Sequence, residues 1–305
     1  MEKINNLVSV IIPAYNCECT IENAIHAILN QTYQNLELII VNDGSSDNTS
    51  KKIKSIHDNR IKYIDLEKNT KKIGAVNHAF ELAIGDFICF LDADDTCSIE
   101  KIQLQLDCFI NNPELGVCFT GYSINGNKEP KKKWREKDED LQSEFNFSHQ
   151  EVHLMNTVCA TIMFKKEILR IVGGYNEYFA GKLGEDFEWC FRLLKNTKAA
   201  TLPKELYSYN LTNLNSITNQ ANKNGIKHYD FVFLKELISF RNTYNIDPLS
   251  FDLIKLRDFE LTVAFKTIHQ LSDEIEKTKK NFLTSNKYRI GGFIVDFLNF
   301  FKLVK

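Results

Sequence analysis

Val8-Ser9-Val10-Ile11-Ile12-Pro13-Ala14-Tyr15-Asn16 is the stretch from which the fold can be read. A short β-branched run closed by a proline predicts a buried strand that empties into a polar loop. Behind it Thr20 suits an N-cap, and Ile21, Ala24, Ile25, Ile28 and Leu29 recur at helical spacing. Leu36 to Val41 repeats the buried-strand pattern. Asn42 to Thr49 then makes a polar turn, with Ser46 or Asp47 able to cap a helix reaching about His57. Ile61 to Ile64 predicts a third strand, Gly74 to Ile84 a helix, and Phe87 to Leu91 a fourth strand that is wholly apolar and therefore central. A helix from Ser98 to about Ile110 and a strand from Val117 to Tyr122 complete this half.

Strands alternating with helices across short loops predict an α/β fold with a mostly parallel central sheet covered on both faces. Such sheets bind ligands at the carboxyl ends of their strands. The polar clusters after strands one, two and four fall at those ends. Asn125 to Gln150 is charged and predicts a solvated loop. Order resumes from Val158 to Phe164, followed by helices at Lys165 to Val172 and about Glu185 to Leu194. Beyond about Asn219 the pattern is helical to Lys305. The expected division is a catalytic domain over 1–220 and a helical region over 221–305.

Composition narrows the function. The 305 residues carry a net charge of −2 and are 43% hydrophobic, which suits a globular protein and gives no basic excess for nucleic acid. The eight cysteines are scattered without a Cys-x-x-Cys pair, as expected of buried thiols in a reducing cytoplasm. No signal peptide is read at the N-terminus, and no window approaches the ~20 apolar residues of a spanning helix. Neither a G-x-G-x-x-G nor a P-loop pattern is present.

Chemistry concentrates in Phe90-Leu91-Asp92-Ala93-Asp94-Asp95. In extended chain Asp92 and Asp94 would point the same way, and two adjacent carboxylates call for a cation. A hard divalent ion, Mg²⁺ or Mn²⁺, suits oxygen ligands and would also hold diphosphate oxygens. The same acids could equally be surface residues ahead of a capped helix. Asp43, in Val41-Asn42-Asp43-Gly44-Ser45-Ser46-Asp47, could accept hydrogen bonds from a base or ribose, or serve an Asx turn. Tyr15 could stack beside a base or pack its own loop.

Together these segments resemble the family 2 glycosyltransferases of the GT-A fold. The matching text continues through Ala83-Ile84-Gly85-Asp86, Val172-Gly173-Gly174-Tyr175-Asn176, Gly184-Glu185-Asp186 and Leu206-Tyr207-Ser208-Tyr209. The resemblance implies an inverting transferase that uses a nucleotide-diphosphate sugar, most often a UDP-sugar, with Mn²⁺ or Mg²⁺. It implies that Pro13, Ala14, Tyr15, Asn16 and Asp43 line the nucleotide site, with Asn77, Ala93 and Glu185 also contacting substrate. It implies that Asp92 faces ribose or metal, that Asp94 is the metal ligand and that Asp186 is the catalytic base. The implied partners are the donor and a saccharide or lipid-linked saccharide acceptor, in surface polysaccharide, lipopolysaccharide or capsule assembly.

Two departures from the family pattern stand out. Val76 replaces an Arg of relatives, so a donor-phosphate contact is either lost or supplied by Lys71 or Lys72. Near Thr212 the Arg and His of relatives are missing, so a third metal contact has no residue assigned. A non-catalytic nucleotide-sugar-binding subunit and a nucleotidyltransferase are the competing functions. Finally, Ile290, Phe293, Ile294, Phe297, Leu298, Phe301 and Val304 fall on one helical stripe. Residues 288–305 could lie in a membrane interface at the inner face of the cell membrane, or pack on the protein or on a second copy in a homo-oligomer.

Overall fold

The computed structural model describes residues 6–125, 159–181 and 184–210, with helical positions 237, 259–260, 262–264, 269 and 272–278 beyond them. Of the loop expected at 125–150 only Asn125 is described, as the end of a strand, and the amphipathic stretch 288–305 lies outside the described residues. The first half follows the predicted alternation: β1 (Val8–Ala14), α1 (Ile21–Leu29), β2 (Leu36–Asp43), α2 (Thr49–Ser55), β3 (Ile61–Leu66), α3 (Lys71–Leu82) and β4 (Phe87–Phe90). After it come β5 (Thr96–Cys97), α4 (Lys101–Asn111), β6 (Leu115–Asn125), β7 (Met163–Lys165), α5 (Leu169–Val172), α6 (Glu185–Asn196) and β8 (Lys198–Asn210). The sheet order is β3-β2-β1-β4-β7-β6-β8-β5.

Strands β3, β2, β1 and β4 are parallel, β7 is antiparallel to both β4 and β6, and β8 runs parallel to β6. The sheet is mostly parallel, as the alternating pattern implies. Its two faces follow from the two-residue period of a strand. Ile11, Ile39, Val41, Ile88 and Phe90 point into one core with Ile73, Val76, Phe80 and Trp189 of α3 and α6. Val8, Val10, Ile12, Leu38, Ile40 and Cys89 point into the other, with Ile25 and Ile28 of α1 and Ile102 and Leu106 of α4. Leu237 and Val263, from the helical positions near the C-terminus, join the first core.

Pro13 is tolerated in a central strand because the pairing of β1 with β4 ends at Ile11 opposite Phe90, so no ladder bond to β4 is lost. Gly85 shows why the turn before β4 carries a glycine. A Cβ there would stand 2.6 Å from the Leu7 carbonyl and 2.7 Å from the Ser9 nitrogen. Around it Ser9 Oγ donates to Glu37 at 2.5 Å and accepts the Gly85 amide at 2.9 Å, while Glu37 accepts the Ile84 amide at 2.8 Å. Lys62 lies 2.5 Å from the other Glu37 oxygen. This polar knot registers the β4 turn against β1 and β2, and it hydrogen-bonds groups that would be costly to bury unpaired.

Three local expectations change. The helix expected at Lys165 to Val172 is split: Lys165 ends β7, a 3-10 turn spans Lys166–Ile168, and only Leu169–Val172 is α-helical. Helix α3 starts at Lys71 rather than Gly74. Strands β5 and β8 were not expected, because β8 contains Pro203 and many polar residues. The β6–β8 register jumps from Thr120–Leu202 to Gly121–Glu205, a bulge that absorbs Pro203.

Candidate active site

The acids after β4 do not continue the strand. Strand β4 stops at Phe90, and the Asp95 amide donates to the Asp92 carbonyl at 3.0 Å, closing a four-residue turn. This corrects the expectation that Asp92 and Asp94 share a side by strand alternation; a turn, not a pleat, sets where they point. Asp92 and Asp94 are partly exposed on it, whereas Ala93 and Asp95 are buried.

Asp95 anchors the turn. Its Oδ2 accepts from the Tyr207 hydroxyl at 2.6 Å and its Oδ1 from the Asn210 amide at 2.7 Å, both on β8. Burial, then the charge of Asp92, pushes the Asp95 carboxyl up to about 8, with Asp94 adding to the rise. Asp92 and Asp94 put two carboxylates on one short turn, and oxygen donors of that kind suit a divalent cation. Among the described residues no group of three or more His, Cys, Asp or Glu is placed to hold a metal. Asp92 and Asp94 would hold one together with oxygens of a bound diphosphate.

Against this turn α3 presents Lys72. Its Nζ lies 3.1 Å from Asp92 Oδ1 and 3.4 Å from Oδ2. Burial opposes the charge on Lys72, but Asp92, Glu185 and Asp186 outweigh it and hold the ammonium above the ordinary lysine range. Glu185 and Asp186 come from the opening turn of α6, which follows Gly184 at φ +100°. Burial, then Asp186, drives the Glu185 carboxyl up to about 7, with Lys72 pulling the other way. Asp186 is likewise raised by burial, again against Lys72, and its Oδ1 accepts the Phe187 amide at 2.8 Å. Asp92, Lys72, Glu185 and Asp186 thus feel one another electrostatically, although they lie on three different elements.

Asp43 is buried at the end of β2. Its Oδ1 accepts both the Thr70 amide at 2.6 Å and the Thr70 hydroxyl at 2.8 Å. Gly44, at φ +66°, lets the 68–69 backbone come close enough that a Cβ would meet Lys68 C and Asn69 N at 2.9 Å. The Asp-Gly pair thereby seats the start of α3, and with it Lys72.

The loops after β1 and β2 are zipped together. The Asn16 amide donates to Ser45 Oγ at 3.0 Å, and Asn16 Oδ1 accepts the Ser46 amide at 2.8 Å. The Cys17 amide donates to Thr49 Oγ1 at 2.8 Å, and the Glu18 amide to Asp47 at 3.1 Å. Tyr15 stands out from this zipper, 50% exposed, whereas Ala14 is buried and Pro13 partly so. Burial pushes the Cys17 thiol up to about 12, against its bond to Thr49, with the charges of Asp47 and Asp94 adding to the rise.

Asn77, on α3, is hydrogen-bonded to the backbone of Tyr175. Its amide donates to the Tyr175 carbonyl at 2.9 Å and its carbonyl accepts the Tyr175 amide at 2.8 Å. Both polar ends of the side chain are engaged by that backbone. Of the residues that shape the site, Tyr207 and Asp95 lie inside motif segments but had no role assigned, and Thr70 carries no signal, because each acts through a partner far along the chain.

The profile of glycosyl transferase family 2 matches residues 9–172, more than half of the chain. The chain belongs to glycosyl transferase family 2. It is 40% identical over 121 residues to the Escherichia coli UDP-Glc:alpha-D-GlcNAc-diphosphoundecaprenol beta-1,3-glucosyltransferase WfgD, covering 40% of this chain and 47% of that protein. The match thus spans less than half the length of that relative. Among solved structures, S. aureus TarS 1-349 in complex with UDP-GlcNAc superposes with a TM-score of 0.57 at 20% identity, covering 76% of this chain and 66% of TarS. The mannosyltransferase PcManGT from Pyrobaculum calidifontis, solved with GDP-Man and Mn²⁺, superposes at 0.56 and 17% identity over 92% of this chain and 81% of PcManGT. At those identities the likeness shows the GT-A fold. Among the described residues no helix is long and apolar enough to cross a membrane.

Proposed function

We propose that this chain transfers a sugar from a nucleotide-diphosphate donor, most readily a UDP-sugar, to a hydroxyl of a saccharide acceptor with inversion. The convergence of Asp92, Glu185 and Asp186 on Lys72, at the carboxyl end of β4, carries this reading. It is supported by family membership, by the UDP-Glc named for WfgD and by the UDP-GlcNAc bound to TarS.

The parts have separate tasks. Tyr15 and the Pro13–Asn16 loop, with Asp43 beneath, receive the nucleotide base and ribose. Asp94 with Asp92 would hold Mn²⁺ or Mg²⁺, which when bound would supply Lewis-acid stabilisation to the departing diphosphate. Asp186, whose carboxyl is held basic by burial, takes the acceptor proton as the hydroxyl attacks from the side opposite the leaving group. Backside displacement inverts the anomeric carbon. Glu185 shares the negative field of that pair and orients the acceptor.

The acceptor is a saccharide, free or lipid-linked, in surface polysaccharide assembly on the cytoplasmic side of the membrane. Residues 1–220 form the catalytic domain. The helical region 221–305 contributes Leu237 and Val263 to the shared core, and its segment 288–305 serves peripheral membrane contact or self-association. The test is a donor screen by thermal shift with Mn²⁺ and a panel of nucleotide sugars, followed by UDP release with acceptor present. D94A and D186N should abolish release without loss of fold. If either variant transfers sugar at near wild-type rate, its assigned role is wrong, and binding without turnover would indicate a non-catalytic subunit.

A further inference from the structure

We propose that Lys72 competes with the divalent cation for Asp92, so that metal is taken up together with the nucleotide diphosphate and not before it. The inference rests on the reading above in that Asp92 and Asp94 are the metal ligands. Three observations support it.

The first is geometric. Lys72 Nζ is within 3.4 Å of both Asp92 oxygens, so the ammonium covers the carboxylate edge that a cation would use. The pair is sheltered, with the lysine side chain 27% and the aspartate 22% exposed, so solvent screens it less than a surface pair.

The second is the position of Lys72 in its helix. It lies in the opening turn of α3, where the helix dipole disfavours cations, and that turn carries no acid. Something outside the helix must favour a lysine here, and Asp92, Glu185 and Asp186 do so.

The third is the rigidity of its mount. Lys71 takes a left-handed φ of +66° with its amide bonded to Asn69 at 2.9 Å, and Thr70 is fastened twice to Asp43. A non-glycine residue in that region is strained, and the segment holds it so that Lys72 reaches Asp92.

A bound diphosphate changes the balance. Its oxygens offer Lys72 an alternative anion and at the same time add ligands for the metal. Uptake of the two should then be positively coupled, and the coupling must be reciprocal.

The experiment is Mn²⁺ binding to the whole chain, followed by the paramagnetic resonance signal of free Mn²⁺, with and without UDP. K72M should bind Mn²⁺ without UDP at least tenfold more tightly than wild type, and UDP should narrow that gap. K72R, which keeps the charge, should behave as wild type. If K72M fails to fold, K72Q is judged by the same criterion. If the neutral variant binds Mn²⁺ no more tightly without UDP yet still binds it with UDP, competition is refuted while the proposed function stands. If no variant binds Mn²⁺ even with UDP, both readings fall together.

Discussion

Tyr207 and Asp95 are joined by a 2.6 Å hydrogen bond from the tyrosine hydroxyl, and the same oxygen accepts the Asp92 amide at 3.3 Å. One phenol from β8 thus fixes both ends of the acidic turn. Tyr207 is almost wholly buried, so neither bond can be replaced by bulk water. Replacing Tyr207 with Phe keeps the ring and removes both bonds. The expected cost is about 1–3 kcal/mol in denaturant unfolding, since Asp95 and the Asp92 amide lose a buried partner. Sugar transfer should fall with it, more in kcat than in KM. Unchanged stability and kcat would show that the turn is positioned by other contacts.

Asn77 grips the backbone of Tyr175 with both ends of its amide, bridging α3 to the loop after α5. N77A is therefore expected to destabilise the fold by about 1–3 kcal/mol, because two buried backbone groups lose their partner. UDP affinity should change little in the fraction that stays folded. A selective loss of UDP binding with normal stability would return Asn77 to the donor site.

Gly44 tests how the start of α3 is held. Alanine there would combine a left-handed φ of +66° with contacts of 2.9 Å to the 68–69 backbone. Relief must come from moving that backbone, so G44A should lower unfolding stability by roughly 2 kcal/mol or more. It should also shift Lys72 away from Asp92, and donor binding should weaken beyond what the lost stability explains. A G44A protein that melts and binds UDP like wild type would remove the mounting role given to this glycine.

Glu185 predicts a pH dependence of stability in the absence of metal and donor. Its carboxyl is raised from 4.5 to about 7 in the folded state, by burial first and then by Asp186. Between those values the folded protein holds a proton that the unfolded chain has released. The stabilisation from this group is therefore complete below about pH 4.5 and is lost as pH rises to about 7. E185Q cannot ionise, so in chelator its stability should fall less than that of wild type between pH 5 and 8. The difference should be on the order of 1 kcal/mol. Parallel unfolding curves for the two proteins across that range would contradict the assignment.

Much of the fold was open to a reader of the sequence because short-range physics writes it there. Alternating β-branched runs and helical stripes place β1 to β4 and α1 to α4 within a few residues. Asp43 and Asp92 stand at the ends of those elements, whereas Asp186 was singled out only by the resemblance to the family. Strand β8 was hidden, since Pro203 and its polar neighbours resemble a loop and only pairing with β6 across a bulge makes them a strand. The direction of the Asp92 and Asp94 side chains was misjudged because a hydrogen-bonded turn begins where an extended chain was expected.

By itself, the sequence determined the family, the α/β layering and which carboxylates gather at one edge of the sheet, because periodicity and motif spacing are local properties. Only the tertiary structure decided that Lys72 pairs with Asp92 within the electrostatic reach of Glu185 and Asp186, that Tyr207 ties down the acidic turn, and that Asn77 hydrogen-bonds the Tyr175 backbone. Those relations join residues from 20 to 115 positions apart. Electrostatic and hydrogen-bond energies depend on distances in space, which no one-dimensional pattern contains.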